Sequence, residues 1–406
     1  NKFPNKKVSF WHFDKEMAKA WVRFHQELVS EDKKNLTIGN TNAQTWADSV
    51  DVYGREICLP ASQYKWDWAP ATMLNAMVHL YNTKSESQKQ IYLDYVKTAI
   101  DKTYDDANGL HPNAVASGHG LAFLAKITGD KKYIEKANKI YADYLTIPRT
   151  KDGGVSHRTE TVELWDDTLY MLSMYLLEMY RYTGDEKYVK ELLNQFLIHK
   201  EKLADKKWGL WVHGYDDDNE DYNDHCCKLG WAQVTPQRTS TEFWGRGNGW
   251  IVMTIADALK VVPANSNYFR IFAKELREIT KELPKLQDKK TGLWYQLPIY
   301  SDSTANFLES SCTAMFSYGI TIGIELKVLD QKTFLPVIEK SYSGLKNYAT
   351  RKDGKYLIPT KVCEGTCIGD RVYYFGRNVK EGFSYAVGAY IMFGLEYEKM
   401  KLKMKP

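Results

Sequence analysis

ITGDKKYIEKANKIYADYL, residues 127–145, comes back as YTGDEKYVKELLNQFL at residues 182–197, and this echo decides the fold. In each copy a Gly-Asp pair ends one apolar-periodic segment and opens another. Glycine just past a helix C-terminus supplies the left-handed residue that stops it, and aspartate at the next N-cap accepts hydrogen bonds from free N–H groups. The repeating unit is therefore two helices joined by a short turn. Such a hairpin cannot bury its apolar face alone, so its copies stack in an open solenoid or close into a ring.

Working outward, apolar residues at three- and four-residue spacing fill residues 16–28, 71–81, 88–104, 117–127, 132–145, 168–182, 187–202, 250–261, 268–283, 311–328, 333–348 and 383–400. That makes about twelve helices, or six pairs, with few strand patterns between them. The chain of 406 residues, 44% hydrophobic, can bury a core of this size as one domain, residues 1–406. The loops favour the ring over the open superhelix. PRTKDGG with His157 and Arg158, GLWVHGYD at residues 209–216, TGLWYQ at 291–296 and VCEGTCIGD at 362–370 carry Trp, His, Asp, Arg and Gln. A solenoid spreads such residues over a concave face, whereas a toroid collects them at one mouth. The expected fold is all-α, an (α/α)6 barrel.

Composition narrows the function. Basic residues number 55 and acidic ones 51, a net of +4 without a basic block, so no nucleic-acid footprint is visible. Aromatics reach 14%, with 12 Trp and 28 Tyr, more than a core needs and in keeping with carbohydrate binding. No run approaches the ~20 apolar residues of a membrane span. The start, NKFPNKKVSF, has neither a signal's apolar segment nor a methionine. The expectation is an export signal already removed and a periplasmic or secreted protein, with the cytoplasm as the alternative. Cys58, Cys226, Cys227, Cys312, Cys363 and Cys367 show no zinc spacing and imply no disulfide framework, so buried free thiols are expected. No phosphate loop, dinucleotide fingerprint, seryl elbow or paired metal motif occurs, and no cofactor or metal is called for.

Two stretches carry the chemistry. FWGRGNGW, residues 243–250, reads as a tight glycine loop at a helix start from which Trp244, Arg246 and Trp250 project. Indole faces cover the apolar side of a pyranose, and a guanidinium grips a carboxylate by two parallel hydrogen bonds. The plainer alternative is a helix–helix turn with buried tryptophans. LWDDTLYM, residues 164–171, opens a helix with two carboxylates that cannot face the same way, so one is expected to cap it and the other to face the cavity. There, beside Trp165 in a partly dry site, its pKa would rise; the alternative is two acids serving the helix dipole. Further candidates are His213, two residues after Trp211; Trp66, Asp67 and Trp68 in KWDW; and Glu309, Ser310 and Ser311.

The order KWDW, LAFLAKITGDKKY, PRTKDGG, LWDDTLYM, GLWVHGYD, FWGRGNGW, QDKKTGLWYQ, ESSCTAMFSYGI and VCEGTCIGD resembles glycoside hydrolase family 105, the unsaturated rhamnogalacturonyl and glucuronyl hydrolases, with family 88 more distant. The resemblance covers nearly the whole chain and implies an (α/α)6 barrel. It also implies removal of a 4,5-unsaturated uronic acid from the non-reducing end of a polysaccharide-lyase product by hydrating its vinyl ether. The family pattern Trp-x-Asp-x-Leu-Tyr-Met falls on Trp165, Asp167, Leu169, Tyr170 and Met171, which makes Asp167 the acid/base and Asp166 its neighbour. Arg246, Trp244 and Trp250 match the positions that hold the uronate, and His213 with Asp216 matches the family's His-x-x-Asp loop. Relatives carry a second aspartate where this chain has HPNAVASGHG, so Asn113 or Ala114 occupies the slot, with His119 or Asp67 as substitutes. Asn113 thus joins Asp167 and His213 as catalytic candidates, while Trp66, Trp68, Trp165, Trp211, Trp244, Arg246 and Trp250 are substrate-binding candidates. The implied partner is an unsaturated oligosaccharide from pectin, ulvan or a similar polymer, met by a monomer or homodimer. The competing readings are a glycan-binding toroid that has lost catalysis with its second acid, and a helical-repeat interaction scaffold.

Overall fold

The computed structural model describes residues 45–58, 64–220, 222–223 and 225–404. Among them run twelve helices of eight residues or more: α1 (Trp46–Tyr53), α2 (Trp68–Thr83), α3 (Glu86–Thr103), α4 (Pro112–Thr128), α5 (Lys131–Tyr144), α6 (Asp166–Thr183), α7 (Lys187–Leu203), α8 (Gly245–Val261), α9 (Asn267–Thr280), α10 (Ser310–Glu325), α11 (Gln331–Tyr348) and α12 (Ser384–Lys403). The even-numbered helices each pack on the next, and α12 returns to α2, closing a ring. Each odd-numbered helix lies outside, packed chiefly on one ring helix, and α1 packs on α12 to complete the sixth pair. The architecture is an (α/α)6 barrel. Because every outer helix brings the chain back, the ring helices run in one direction and their N-termini meet at one mouth.

The two echoed stretches form the predicted turns. Gly129 and Gly184 sit at φ 71° and 69°, closing α4 and α6, and Asp130 and Asp185 accept from the backbone N–H of Lys132 and Lys187, each at 3.0 Å. Ring and outer helices differ in pattern because they differ in surroundings. The ring helix α10 is buried from Ser310 to Ile324 on every face, whereas the outer α9 buries Phe272, Ala273, Glu275, Leu276, Ile279 and Thr280, a one-sided stripe. Ring helices approach closely where side chains vanish: a Cβ on Gly319 would lie 2.1 Å from Val252, and one on Gly388 would lie 2.8 Å from the Thr72 carbonyl.

The expected helix at residues 16–28 lies outside the described residues. The outer helix α1 was not expected, because TWADSVDVY places acids among its apolar positions. A capping box between Thr45 and Asp48 starts it, and buried Asp51 is held by Arg55 Nε at 3.0 Å and the Tyr92 hydroxyl at 3.0 Å. The glycine-rich segment is also corrected: Gly245 to Gly249 are the first turn of α8 rather than a loop before it. Their hydrogens face neighbours, since added Cβ atoms at Gly245, Gly247 and Gly249 would lie 2.9, 2.1 and 2.8 Å from Tyr295, Asp166 and Met315. Glycine here provides close approach between ring helices, a use that a loop reading mistakes for flexibility.

Four two-stranded antiparallel ribbons occupy the connections: β1 (Glu163–Trp165) with β2 (Gly214–Asp216), β3 (Trp294–Tyr295) with β4 (Leu308–Glu309), β5 (Thr350–Asp353) with β6 (Tyr356–Pro359), and β7 (Val362–Cys363) with β8 (Val379–Lys380). The cysteine expectation holds for Cys58, Cys312 and Cys363, which are buried free thiols, but Cys226 and Cys367 form a disulfide across 141 residues. Two connections far apart in sequence meet at the mouth, a proximity that cysteine spacing does not encode. No described helix is long and apolar enough to cross a membrane.

Candidate active site

At the mouth a cavity of about 360 Å³ is lined by Trp68, His111, Asn113, His157, Arg158, Trp165, Asp167, Met171, Gly365, Thr366 and the Cys226–Cys367 pair. This is the low end of the ~300–1,000 Å³ usual for small-molecule clefts, enough for a terminal sugar and the start of the next.

The acid pair is set by β1 and β2. Their register places Trp165 opposite Gly214, and the Asp166 N–H donates to the His213 carbonyl at 3.0 Å. The ribbon therefore delivers His213 to the first turn of α6. His213 Nε2 lies 3.0 Å from Asp167 Oδ2 and 3.8 Å from Asp166 Oδ1, and Nδ1 lies 2.7 Å from the Tyr374 hydroxyl. The hydrogen-bond pattern assigns an imidazole protonated at Nε2 that donates to Asp167 and accepts from Tyr374. Burial holds its pKa below the ordinary value against the pull of Asp167. Trp244 stacks on His213 at 4.4 Å and Trp165 meets it edge-on at 5.4 Å, so the ring cannot turn away.

The two aspartates part company. Asp167 faces the cavity with its side chain 17% exposed. Asp166 is wholly buried, and neither of its oxygens receives a hydrogen bond from a donor group. Neither caps α6, whose N-cap is Trp165 without a side-chain cap bond. Burial would raise both, but the hydrogen bond from His213 brings Asp167 below the ordinary carboxylate value. Burial and then the charge of Asp167 drive Asp166 well above it. The expectation that the cavity-facing acid is the raised one is thereby corrected: the raised acid is its hidden neighbour.

Of the other expected site residues, Trp68, Trp165 and Asn113 line the cavity and five do not. Trp66 is half-buried at the rim of the core and donates Nε1–H to the Asn108 carbonyl at 2.8 Å. Trp211 is buried against Phe196 at 5.2 Å, Trp250 is stacked on Tyr170 at 4.8 Å inside the barrel, and Trp244 lies behind His213. Arg246 requires the largest correction. It is 1% exposed, lies between Trp244 at 4.5 Å and Tyr385 at 4.7 Å, and donates to the carbonyls of Cys363 at 2.8 Å and Glu364 at 2.7 Å. Its guanidinium fixes the 362–370 connection, with both terminal nitrogens already donating to backbone carbonyls. Among the described residues the cation that lines the cavity is Arg158, 4.8 Å over Trp165 and 3.8 Å from Glu163 Oε2.

The proposed substitutes for the second acid are placed elsewhere. His119 is buried in α4 with Nδ1 2.8 Å from the Ala116 carbonyl. Asp67 is the N-cap of α2, accepting from Trp68 N–H at 2.8 Å. Asp216 is buried in β2, with burial raising its pKa to about 6, and Glu309 is the N-cap of α10, also accepting from Cys363 N–H at 3.0 Å. Sequence reasoning gave no role to His111 or His157. His111 caps α4 by accepting from Asn113 N–H at 3.0 Å, and His157 stacks on Trp165 at 4.4 Å with Nδ1 2.9 Å from Thr168 Oγ1. Burial keeps both imidazoles below their ordinary pKa. The SHR motif before LWDD was the available signal, but only the fold brings it over Trp165.

Asp166, Asp167 and His213 offer donor atoms within 4.8 Å of one another, the spacing a metal ion would need. In the arrangement described, the Nε2–H of His213 already fills the space toward Asp167.

The profile of Glycosyl Hydrolase Family 88 matches residues 38–401. The unsaturated rhamnogalacturonyl hydrolase YesR of Bacillus subtilis is 28% identical over 317 residues, 75% of this chain and 81% of its own. An unsaturated 3S-rhamnoglycuronyl hydrolase of Formosa agariphila is 23% identical over 198 residues, 47% of this chain and 48% of its own. In fold, a family 105 glycoside hydrolase of C. acetobutylicum superposes with a TM-score of 0.75 at 24% identity, covering 88% of this chain and 100% of that one. The unsaturated glucuronyl hydrolase of Bacillus sp. GL1 superposes with a TM-score of 0.63 at 16% identity, covering 88% and 97%. With the profile spanning the whole barrel and its mouth, this chain is a glycoside hydrolase that belongs to Glycosyl Hydrolase Family 88 and shares its fold with enzymes of family 105.

Proposed function

We propose that this enzyme removes a 4,5-unsaturated uronic acid from the non-reducing end of a polysaccharide-lyase product by adding water across the double bond. The observation that carries this reading is that the cavity presents a carboxyl held by a histidine, Asp167 with His213 Nε2 at 3.0 Å, and among the described residues it is the acid that lines the cavity. Asn113, which shares with Ala114 the place of the second aspartate that the family resemblance implies, is an amide. Ordinary glycoside hydrolysis uses two carboxyls flanking the glycosidic bond. Hydration of a vinyl ether can proceed with one. Asp167 delivers a proton to carbon 4, the oxocarbenium ion at carbon 5 takes up water, and Asp167, again a carboxylate, accepts the proton that water loses. The resulting hemiketal opens and releases the aglycone. His213 orients Asp167, Arg158 faces the uronate carboxylate, and Trp68 and Trp165 offer aromatic faces to the ring.

The names of the relatives, rhamnogalacturonyl and 3S-rhamnoglycuronyl hydrolases, support an aglycone that begins with rhamnose, as in lyase products of pectin or ulvan. The Cys226–Cys367 bond supports an oxidising compartment, periplasmic or secreted. The test is ultraviolet absorbance of the conjugated alkene with unsaturated disaccharides from pectin, ulvan and glycosaminoglycans, run beside their saturated counterparts. Loss of absorbance on at least one set, with the saturated sugars untouched, is expected. Cleavage of saturated glycosides at comparable rates, or no loss on any substrate, would overturn the reading.

A further inference from the structure

His213 at 3.0 Å holds the Asp167 carboxyl below the ordinary carboxylate value, yet the first step asked of it is to give a proton. The reaction thus needs a proton store within reach, and the cavity wall supplies none: Asn113 is an amide, and burial keeps His111 and His157 neutral. Behind Asp167 sits Asp166, 0% exposed and without a hydrogen bond from any donor group. A bare carboxylate in that position would be buried without a hydrogen bond, offset only in part by the charge of Arg246, whereas a carboxylic acid has one proton to give and needs one acceptor. The missing side chain of Gly247 makes the place that Asp166 fills, since a Cβ there would stand 2.1 Å from its Oδ2. The acceptor within reach is Asp167, which offers a carboxylate oxygen within 4.8 Å of one on Asp166.

We propose that Asp166 holds the catalytic proton for Asp167. The proposal rests on Asp167 being the acid. In the free enzyme the proton sits on Asp166 and the negative charge on Asp167. As the uronate enters, its carboxylate faces Asp167 and disfavours the charge there, so the proton crosses and the charge moves to buried Asp166, toward Arg246. Asp167 then protonates carbon 4, regains a proton from the attacking water, and returns it to Asp166. One proton is lent and restored, and the net change is one water added. The other groups facing the pair are His213 from the 209–216 connection, His157 from the 148–162 connection, Arg246 from α8 and Tyr374 from the short helix at 371–375. Of these, the two imidazoles are neutral and Arg246 is fixed in its charge, so the proton belongs to the carboxyl pair. Asp166 does not touch the substrate and is a positioning residue acting through Asp167.

Asp166→Asn keeps the shape and removes the store. Its amide donates permanently to Asp167, which must then take its proton from solvent. Turnover is expected to fall at least about a hundredfold near neutral pH with KM within about threefold, and kcat to fall about tenfold per pH unit where wild type has a plateau. A purely structural role would lower kcat and raise KM without changing the shape of the profile. The protonated-carboxyl stretch in difference infrared spectra gives a readout independent of turnover. At neutral pH it is expected in wild type and in Asp167→Asn and absent in Asp166→Asn; should the Asp166 variant fail to fold, the first two still decide. An Asp166→Asn enzyme with an unchanged pH profile, or wild type and Asp167→Asn both without the band, overturns the proposal. If no unsaturated substrate is turned over while the band is present, the functional reading fails and the proton store stands.

Discussion

Asp166 Oδ2 occupies the space that a side chain at Gly247 would need, with only 2.1 Å between it and an added Cβ. The first turn of α8 and the first turn of α6 are thus fitted through one missing methyl group. In Gly247→Ala either Asp166 is driven toward the cavity or the two ring helices separate. Both disturb the acid pair, and overpacking of this kind costs about 1–3 kcal/mol. The variant should fold with a lowered Tm and lose activity out of proportion to that loss. A melting curve and an alkene assay on one preparation check this; normal turnover would mean that Asp166 moves aside without consequence.

Asp167→Asn should lose turnover by about 10²–10⁴-fold, the range for removing a general acid or base, while still binding the unsaturated product chain. The amide cannot deliver a proton, and it offers His213 the same 3.0 Å acceptor through its oxygen. Tryptophan fluorescence titration separates binding from turnover, because Trp165 and Trp68 line the same cavity. Loss of binding together with turnover would assign Asp167 to substrate recognition.

The fold was legible because its signal is local. Gly129 with Asp130 and Gly184 with Asp185 punctuate helices by backbone chemistry that any copy of the motif must obey, and eleven of the twelve described helices of eight residues or more follow from spacing. What could not be read is whatever depends on residues far apart meeting. Arg246 was taken as the uronate clamp because an arginine between tryptophans has the right chemistry, yet the carbonyls that occupy it lie more than a hundred residues on, at Cys363 and Glu364. Asp167 and His213 were both named, but nothing in their spacing joins them; the β1–β2 register does. Asp166 was passed over because its distinction from Asp167 is burial, which follows from Gly247 on another helix.

The two arginines should fail differently. Arg246→Lys gives up a fork that bonds two backbone carbonyls inside the protein, which should cost roughly 2–3 kcal/mol of stability. Arg158→Gln should leave Tm nearly unchanged and raise KM by about ten- to a hundredfold, the equivalent of roughly 1.5–3 kcal/mol for one charge-assisted pair. Denaturation and steady-state kinetics on both variants check the contrast. A KM effect confined to Arg246→Lys, with full stability, would return the clamp to that residue.

Stability should vary with pH in a way that names the buried acid. Asp166 has its folded pKa raised, so the unfolded chain binds fewer protons than the folded one between the ordinary carboxylate pKa and the raised value, and this group's contribution falls as pH increases through that window. Asp167 runs the other way, since its folded pKa is lowered and its contribution is lost as pH falls through that value. Asp166→Asn removes the first dependence. The variant should therefore gain in Tm relative to wild type on going from about pH 4 to pH 7, although it turns over more slowly. A Tm difference that is flat across that range would mean the folded protein carries Asp166 ionised.

The disulfide Cys226–Cys367 forms part of the cavity wall and joins connections 141 residues apart, so opening it should act on the substrate more than on the chemistry. The acid pair is held from the other side, by the β1–β2 ribbon and by His213 between Trp165 and Trp244. The wall rests on Arg246, which holds the 362–370 connection at Cys363 and Glu364, and on a small apolar cluster of Trp165, Trp231, Ala232 and Ile368 with Cys227 and Cys367 packed on its edge. Closing so long a loop stabilises a protein by roughly 2–5 kcal/mol through restriction of the unfolded chain. Cys226→Ser, or wild type after reduction, should accordingly lose several degrees of Tm and show a raised KM for disaccharides whose second sugar meets the wall, with kcat changed much less. A minimal substrate with a small synthetic leaving group should feel the change in KM least. Equal losses for both substrates, carried mainly in kcat, would show instead that the bond holds the acid pair in register.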